Sequence, residues 1–350
     1  MNILHLTNEL NYTDGVSAHL YNLTIELKKN YDVKPSIICS GGDAVNKFRE
    51  AGSEIIEYNN LRYSVRSTKN FASAVIFLYK FAKSNKIDIL HSHNHYAANI
   101  AHRCSKFSGI KTVQTVHGII PDTGRLSHHP GENFIAVNDH VFRSLKSKLK
   151  NKNKIELIYN GVDFCENIRK KKNEKLIFIA ASRFEQGKGL STFVNAVGRL
   201  PDEYRDRADF IIAGEGSLEK ELKKLNKDIN ANINFPGMEK NLRELFMKTD
   251  VFIIPSESEG LPMTMLEAAA SMNSIISSDF AGVENILTGN KEGLIFRKND
   301  AEELSRKIIY LIDNPEAAAK YSAAFFKKAK VRFSLSEMGQ KHINFYKSLI

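Results

Sequence analysis

In the segment SRFEQGKG, Arg183 and Lys188 lie five residues apart, and the lysine stands between Gly187 and Gly189. The apolar run LIFIAAS precedes them and a helix-forming run follows, so both cations belong to a strand-to-helix turn. Such a turn suits a diphosphate, because the helix start offers oriented N–H groups and a guanidinium grips two oxygens at once. A second pair lies in SESEGLPMTMLEAAA, where Glu259 precedes a helix and Glu267 sits a little over one turn inside it. Both carboxylates can then line one pocket and accept hydrogen bonds from vicinal hydroxyls, as on a ribose or a hexose. The helix start beside Glu259 favours an anion there.

The first half of the chain carries a different chemistry. Ten of the eleven histidines fall before residue 141, and His342 is the exception. Three of them, His91, His93 and His95, follow an apolar run in HSHNHY, and His117-Gly118 ends the apolar run of TVQTVHGII. Histidines at such spacing are of the metal-ligand type, but a strand-end histidine also serves a substrate cleft or simply the core. The turn Asp14-Gly15-Val16-Ser17 follows the opening run MNILHLT.

These residues need a scaffold whose strands end side by side. Apolar runs alternate with amphipathic stretches throughout: MNILHLT, VSAHLYNLTIELKKN, KPSIICS, FASAVIFLYKFAKSN, IDILHSH. The runs LIFIAAS, DFIIAGE and DVFIIPS are continuously apolar, as in parallel strands covered by helices on both faces, so the class is α/β. SRFEQGKG, AGEGS, FPGME and SESEGLPMTMLEAAA then all stand at strand ends, the edge where open parallel sheets bind ligands. The polar stretch DFCENIRKKKNEK breaks the rhythm and reads as a linker, with the Lys170–Lys172 run as part of its solvated surface. This predicts domains over 1–165 and 166–334, followed by a helix over about 335–350 with enough apolar surface to dock.

Composition narrows the class further. A chain of 350 residues, 42% hydrophobic and 26% charged, is large enough for about two domains. Its three cysteines, Cys39, Cys104 and Cys165, are in no ligand or disulfide spacing, which suits a reducing cytoplasm. No apolar run reaches the roughly 18 residues of a membrane span, and the opening residues lack the basic start of a secretion signal. Of the net +10, residues 1–165 carry +7, from 21 basic against 14 acidic residues, which leaves +3 for the rest. That excess raises the class of non-catalytic nucleic-acid binders. Basic residues scattered among acids, with no recognition-helix or aromatic-interleaved motif, argue against it.

Glu259-GLPMTML-Glu267 resembles the E-x7-E motif of the retaining GT-B glycosyltransferases of the family 4 type. The Arg183…Lys188 turn resembles that family's diphosphate-binding pair. Asn160-Gly161-Val162-Asp163, Gly214-Glu215-Gly216, Phe235-Pro236-Gly237 and SSDFAGVENILTGNKEGLIF are similar to further family segments. The resemblance implies two Rossmann-like parallel-sheet domains facing across a cleft, the N-terminal one for the acceptor and the C-terminal one for a nucleoside diphosphate sugar, with the helix over about 335–350 packing back on the N-terminal domain. It implies catalytic roles for His117, Glu259, Arg183 and Lys188. Arg183 and Lys188 would hold the diphosphate, Glu267 the ribose, Glu259 with the backbone of Gly260 and Leu261 the sugar, and Gly237 and Met238 the base, with Gly214 also on the nucleotide side. Gly15 stands where the family has a Gly-Gly loop whose backbone approaches the donor phosphates, and would supply that approach with Asp14 in place of one glycine; Asp14, His93 and His95 would face the acceptor.

The implied reaction is transfer of a sugar, with retention, to a hydroxyl of a glycan, a lipid-linked saccharide or another acceptor. It needs neither cofactor nor metal, since the family lacks the metal-binding DxD signature. A uridine nucleotide is the family's most frequent donor base. A sugar-nucleotide 2-epimerase shares the architecture, but the E-x7-E helix and the SRFEQGKG turn follow the transferase pattern. The lysine-rich stretch over residues 142–154 sets Lys146, Lys148 and Lys150 beside Phe142, Leu145 and Leu149, as on a solvated helix or on a peripheral helix at an anionic membrane. The expected location is the cytoplasm, with the inner face of the cell membrane as the alternative.

Overall fold

A computed structural model describes residues 1–118, 129–149, 153–165, 174–289 and 291–350. The chain forms two compact units: unit 1 comprises Met1–Gly161 and Leu335–Ile350, and unit 2 comprises Val162–Ser334. The chain passes from one to the other at Gly161–Val162 and at Ser334–Leu335. Of the linker stretch, Asp163 pairs with Arg243 at 3.3 Å and Phe164 packs edge-on against Phe326 within unit 2. Lys170–Lys172 lie outside the described residues.

Unit 1 is built on seven parallel strands: β1 (Ile3–Leu6), β2 (Ser36–Cys39), β3 (Glu54–Glu57), β4 (Ile89–Ser92), β5 (Lys111–Val116), β6 (Asn133–Ala136) and β7 (Lys154–Leu157). Their order is β3-β2-β1-β4-β5-β6-β7, so the sheet reverses direction of growth between β1 and β4, the switch point where open sheets leave a crevice. Adjacent register sets His5 of β1 beside His91 of β4. β1, β2 and β4 are buried along their whole length, including the polar His5, Ser36, His91 and Ser92.

The helix Gly15–Tyr31 follows β1. Its N-cap is Asp14, whose carboxylate accepts from the N–H groups of Val16 and Ser17 at 3.3 and 3.2 Å. The helix Leu335–Lys347 lies against it, burying Met338, Ile343, Phe345 and Tyr346 among Ile3, Leu23, Leu27, Ile89 and Val113. The fit is close at Gly339, where a Cβ would stand 2.5 Å from Glu26 Cγ.

In the lysine-rich stretch, the helix Asp139–Lys148 buries Val141 and Leu145 in the core beside β6, and Phe142 and Leu149 pack against that cluster. The apolar residues read as a membrane-facing surface therefore cover the sheet. Lys146 and Lys148 are exposed, and Lys150 lies outside the described residues. Among the described residues, no helix is long and apolar enough to cross a membrane.

Unit 2 holds six parallel strands: β8 (Leu176–Ala181), β9 (Ala208–Ala213), β10 (Asn234–Gly237), β11 (Val251–Ile254), β12 (Ser274–Ser278) and β13 (Leu294–Phe296). Their order, β10-β9-β8-β11-β12-β13, places its switch point between β8 and β11. Phe178, Phe193, Phe210, Ile212, Ile253 and Ile308 belong to one apolar cluster that joins the sheet to its flanking helices. SRFEQGKG follows β8 and SESEGLP follows β11, so the two charged motifs leave neighbouring strands at that switch point.

Candidate functional site

In unit 2 the loops after β8, β9 and β10 are tied to one another through their backbones. Ser182 N–H donates to Ala213, Phe184 N–H to Glu215, and Gly214 N–H to Gly237, at 3.2, 2.8 and 2.8 Å. Such packing leaves no room for a side chain at two of the glycines. A Cβ on Gly214 would stand 2.0 Å from the Ser182 carbonyl oxygen, and one on Gly216 2.6 Å from that of Phe184, both at positive φ. Gly214 thus has a packing reason to be glycine, apart from any ligand. Gly237 also has φ +88°, but open space on its Cβ side, and Met238 beside it is half-buried.

The turn carrying the two cations is held from the other side. Gly189 (φ +63°) precedes the helix Leu190–Gly198, and a Cβ there would meet the Pro255 carbonyl oxygen at 2.0 Å. Glu257 N–H donates to the Gly187 carbonyl at 2.8 Å. These contacts clamp the β8 loop onto the β11 loop and bring Lys188 Nζ to 2.7 Å from Glu259 Oε1. The pair is 23% and 17% exposed, so each charge is sheltered by the other and both remain in reach of a ligand. Arg183 is more exposed and pairs with Glu185 at 3.1 Å.

Leu261 and Pro262 are buried, and the helix Met263–Ala270 begins at Pro262 with no side-chain cap. Glu267 occupies its second turn and is half-buried, in reach of the same edge as Glu259 by helical spacing. Positive helix-start dipole, an ammonium and a guanidinium on the β8 loop, Glu259 on the β11 loop and Glu267 on the helix that follows it form a surface able to hold an anion and hydroxyls together.

In unit 1, Gly15 is the first residue of its helix, with open space where its Cβ would be. Both Asp14 carboxylate oxygens are engaged in capping, one of them also accepting from Ser17 Oγ at 3.1 Å. His95 opens the helix His95–Ser108 behind the Asn94 cap. The feature that spacing alone did not bring out is a cluster of six histidines: His5, His19, His91, His93, His117 and His342. Ring centroids of neighbours within it are 4.4 to 6.0 Å apart. His5, His19, His91, His93 and His342 are buried and His117 is partly exposed.

Burial holds these rings neutral, and their neighbours reinforce it. His5 and His117 are lowered to about 3 and His342 to about 4, by desolvation first, with His342 adding to the effect on the other two. His19, His91 and His93 lie well below the usual histidine range for the same first cause. His91 is fully engaged, with Nδ1 at 2.7 Å from Tyr346 Oη and Nε2 at 2.7 Å from Thr115 Oγ1. The signal in the sequence was the concentration of histidines before residue 141; that His342 joins them depends on the docking of the last helix.

Residues 163–328 match the family described as Glycosyl transferases group 1, and residues 13–164 match Glycosyltransferase Family 4. This chain is a family 4-type group 1 glycosyltransferase. The transferase is 22% identical to the Campylobacter jejuni N,N'-diacetylbacillosaminyl-diphospho-undecaprenol alpha-1,3-N-acetylgalactosaminyltransferase, over 96% of this chain and 97% of that protein. It is also 22% identical to the Escherichia coli UDP-Gal:alpha-D-GlcNAc-diphosphoundecaprenol alpha-1,3-galactosyltransferase, over 83% of this chain and 82% of that one. Among solved structures, Anabaena Alr3699/HepE in complex with UDP-glucose superposes with a TM-score of 0.83 at 15% identity, covering 99% of this chain and 100% of that one. A glycosyltransferase from Rickettsia africae gives 0.82 at 21% identity, over 99% and 98%. The transferase has the GT-B class of fold, with two parallel-sheet α/β domains.

Proposed function

We propose that this glycosyltransferase moves a sugar from a uridine diphosphate sugar to a hydroxyl of a lipid-linked saccharide or related glycan, with retention of anomeric configuration and without a metal. The observation that carries the donor half is the Lys188–Glu259 pair, clamped onto a glycine turn at a helix start. An ammonium has three N–H donors. Lys188 can therefore keep one on Glu259 and give the others to phosphate oxygens, while the free lone pairs of Glu259 accept from sugar hydroxyls. Arg183 adds a second cation and Glu267 accepts from the ribose. In this reading unit 2 binds the donor, with Gly237 and Met238 at the base and the backbone of Gly260 and Leu261 at the sugar.

In the transfer step the bond from the anomeric carbon to the diphosphate oxygen breaks and its electron pair leaves with the diphosphate. The acceptor oxygen bonds to that carbon on the same face, and its proton passes to the departing phosphate oxygen. Arg183 and Lys188 lower the barrier by meeting the charge that grows on the leaving group. Unit 1 takes the acceptor in this reading, with His93, His95 and Asp14 nearest to it by motif and His117 at the donor sugar. The bacterial relatives named above act on undecaprenol-diphosphate-linked saccharides and form alpha linkages, and HepE binds UDP-glucose, which supports the choice of acceptor, stereochemistry and base.

The test is a matrix of UDP-sugars against undecaprenol-diphosphate-linked saccharides, run in excess EDTA, with the new anomeric centre read by proton coupling constants. Product with the donor's configuration is expected. Inverted product, or activity that returns only with added magnesium or manganese, would remove the front-face, metal-free mechanism.

A further inference from the structure

The histidine cluster of unit 1 has more ligating nitrogens than the transfer reaction uses, and three of them converge. One ring nitrogen from each of His19, His93 and His117 lies within 4.8 Å of the others. His93 Nδ1 and His117 Nε2 are 3.4 Å apart. That is the ligand-to-ligand edge of a tetrahedron around zinc, about 3.3 to 3.4 Å for Zn–N bonds of about 2.0 to 2.1 Å. We propose that His19, His93 and His117 form a three-histidine site for a zinc-type divalent cation, with the fourth position open on the side where His117 reaches the surface.

The surroundings favour this set over the other convergent trio, His5, His91 and His93. Both nitrogens of His91 are occupied, by Tyr346 and Thr115, whereas fully buried His19 has no partner at full hydrogen-bond geometry on either ring nitrogen and draws only on the side chain of Asn160. Two buried polar atoms without well-formed hydrogen bonds on one ring are costly, and coordination would satisfy one of them.

The outer partner is also in place. A liganding His93 Nδ1 has its proton on Nε2, which lies 3.1 Å from His5 Nδ1 and can donate to it, fixing tautomer and ring plane as a second shell does. Imidazole-only coordination selects zinc, cobalt, nickel and copper over magnesium and calcium. Because the function proposed above gives His117 to the donor sugar and His93 to the acceptor, an ion that takes His117 Nε2 and His93 Nδ1 withdraws both from those roles. Zinc would then inhibit transfer. This consequence rests on that reading, and the site does not.

The test uses the full chain, stripped of metal by chelator and titrated with Zn2+ or Co2+ alone. One ion per chain and the intense visible absorption of four-coordinate cobalt are expected, with no response to Mg2+. His117→Gln, at the partly exposed ligand, and His19→Gln should each weaken Zn2+ binding by more than about a hundredfold, beyond the roughly 10- to 100-fold typical of outer-shell changes. His102→Gln, outside the cluster, should bind as the parent does. The parent's cobalt spectrum decides the matter even if a variant fails to fold: the weak spectrum of a six-coordinate ion overturns the site. So does Zn2+ binding that survives both ligand substitutions or falls equally in His102→Gln. If the site forms and zinc leaves transfer unaffected, the roles given to His117 and His93 fail and the metal site stands.

Discussion

In unit 2 the groups assigned to the donor are charged, paired and open to a ligand, with Lys188 and Glu259 23% and 17% exposed. In unit 1 five of six clustered histidines are buried and the cluster is neutral. Both arrangements stand at the switch point of a parallel sheet, so the same scaffold position has been filled in opposite ways. The loops of unit 2 keep opposite charges close, so each lowers the cost of holding the other before any substrate arrives. The histidine cluster of unit 1 is kept uncharged, and its burial of rings that acquire protons near neutrality makes unit 1 the acid-sensitive half.

The largest expected effect tests that asymmetry. A histidine kept neutral in the folded state but protonated in the unfolded chain binds its proton only after unfolding, so stability falls as pH drops from about 6.5 towards the folded value. For His5 and His117, lowered to about 3, and His342, lowered to about 4, the loss between pH 7 and pH 5 is about 2 kcal/mol each. Hydrogen exchange in EDTA, corrected for intrinsic rates, should show β1 and β4 losing protection at pH 5 by orders of magnitude more than β8 and β11. Equal loss in both sheets would break the comparison.

Next in size is Lys188→Ala. It removes a cation from the site proposed for the donor and strands Glu259, sheltered and without its ion-pair partner, where the diphosphate is to bind. A drop of about a hundredfold or more in UDP affinity is expected by titration calorimetry, with the folded state retained. Arg183→Ala and Glu267→Ala each remove one charge-assisted contact, worth about 1.5 to 3 kcal/mol, so roughly ten- to a hundredfold is expected. The more exposed Arg183 should fall at the lower end. A greater loss of affinity in Arg183→Ala than in Lys188→Ala would locate the main counter-charge in Arg183 and not in the clamped pair.

The smallest effect concerns the basic surface of unit 1. With Leu145 buried in the core, only electrostatic docking remains for the exposed Lys146 and Lys148, at about 1 kcal/mol per lysine near an anionic surface. Co-sedimentation with anionic vesicles should fall several-fold in Lys146→Gln/Lys148→Gln and vanish at high salt. Pelleting that is negligible with anionic lipid at low salt would exclude docking through this helix.

How much could be read beforehand follows the range of each signal. LIFIAAS, DFIIAGE and DVFIIPS proved to be β8, β9 and β11 because burial on both faces writes itself into consecutive residues. The cation turn and the E-x7-E helix were equally legible, each being local. What spacing could not show is that Lys188 meets Glu259, 71 residues away, since that contact depends on β8 and β11 being neighbours. Gly214 carried a ligand meaning by motif, and the structure adds the close approach of the Ser182 carbonyl. The histidine cluster was the least legible, because it assembles from two helices and three strand ends, and one of its members lies 251 residues beyond another, at His91 and His342.

The chain's return to unit 1 has a consequence for how the protein is made. Unit 2 is an insertion: its two ends are joined side by side through the parallel bridge Val162–Ser334 and the hydrogen bond from Val162 N–H to Phe333. A nascent chain that has reached Ser334 already holds all of unit 2, yet the sheet of unit 1 lacks Met338, Ile343, Phe345 and Tyr346 from its core. His91 at that stage has no Tyr346 to bond, and the apolar face of the helix Gly15–Tyr31 is uncovered. The first unit to begin leaving the ribosome is therefore the last to close, and a chain cut after Ser334 would hold all of unit 2 while leaving the core of unit 1 uncovered.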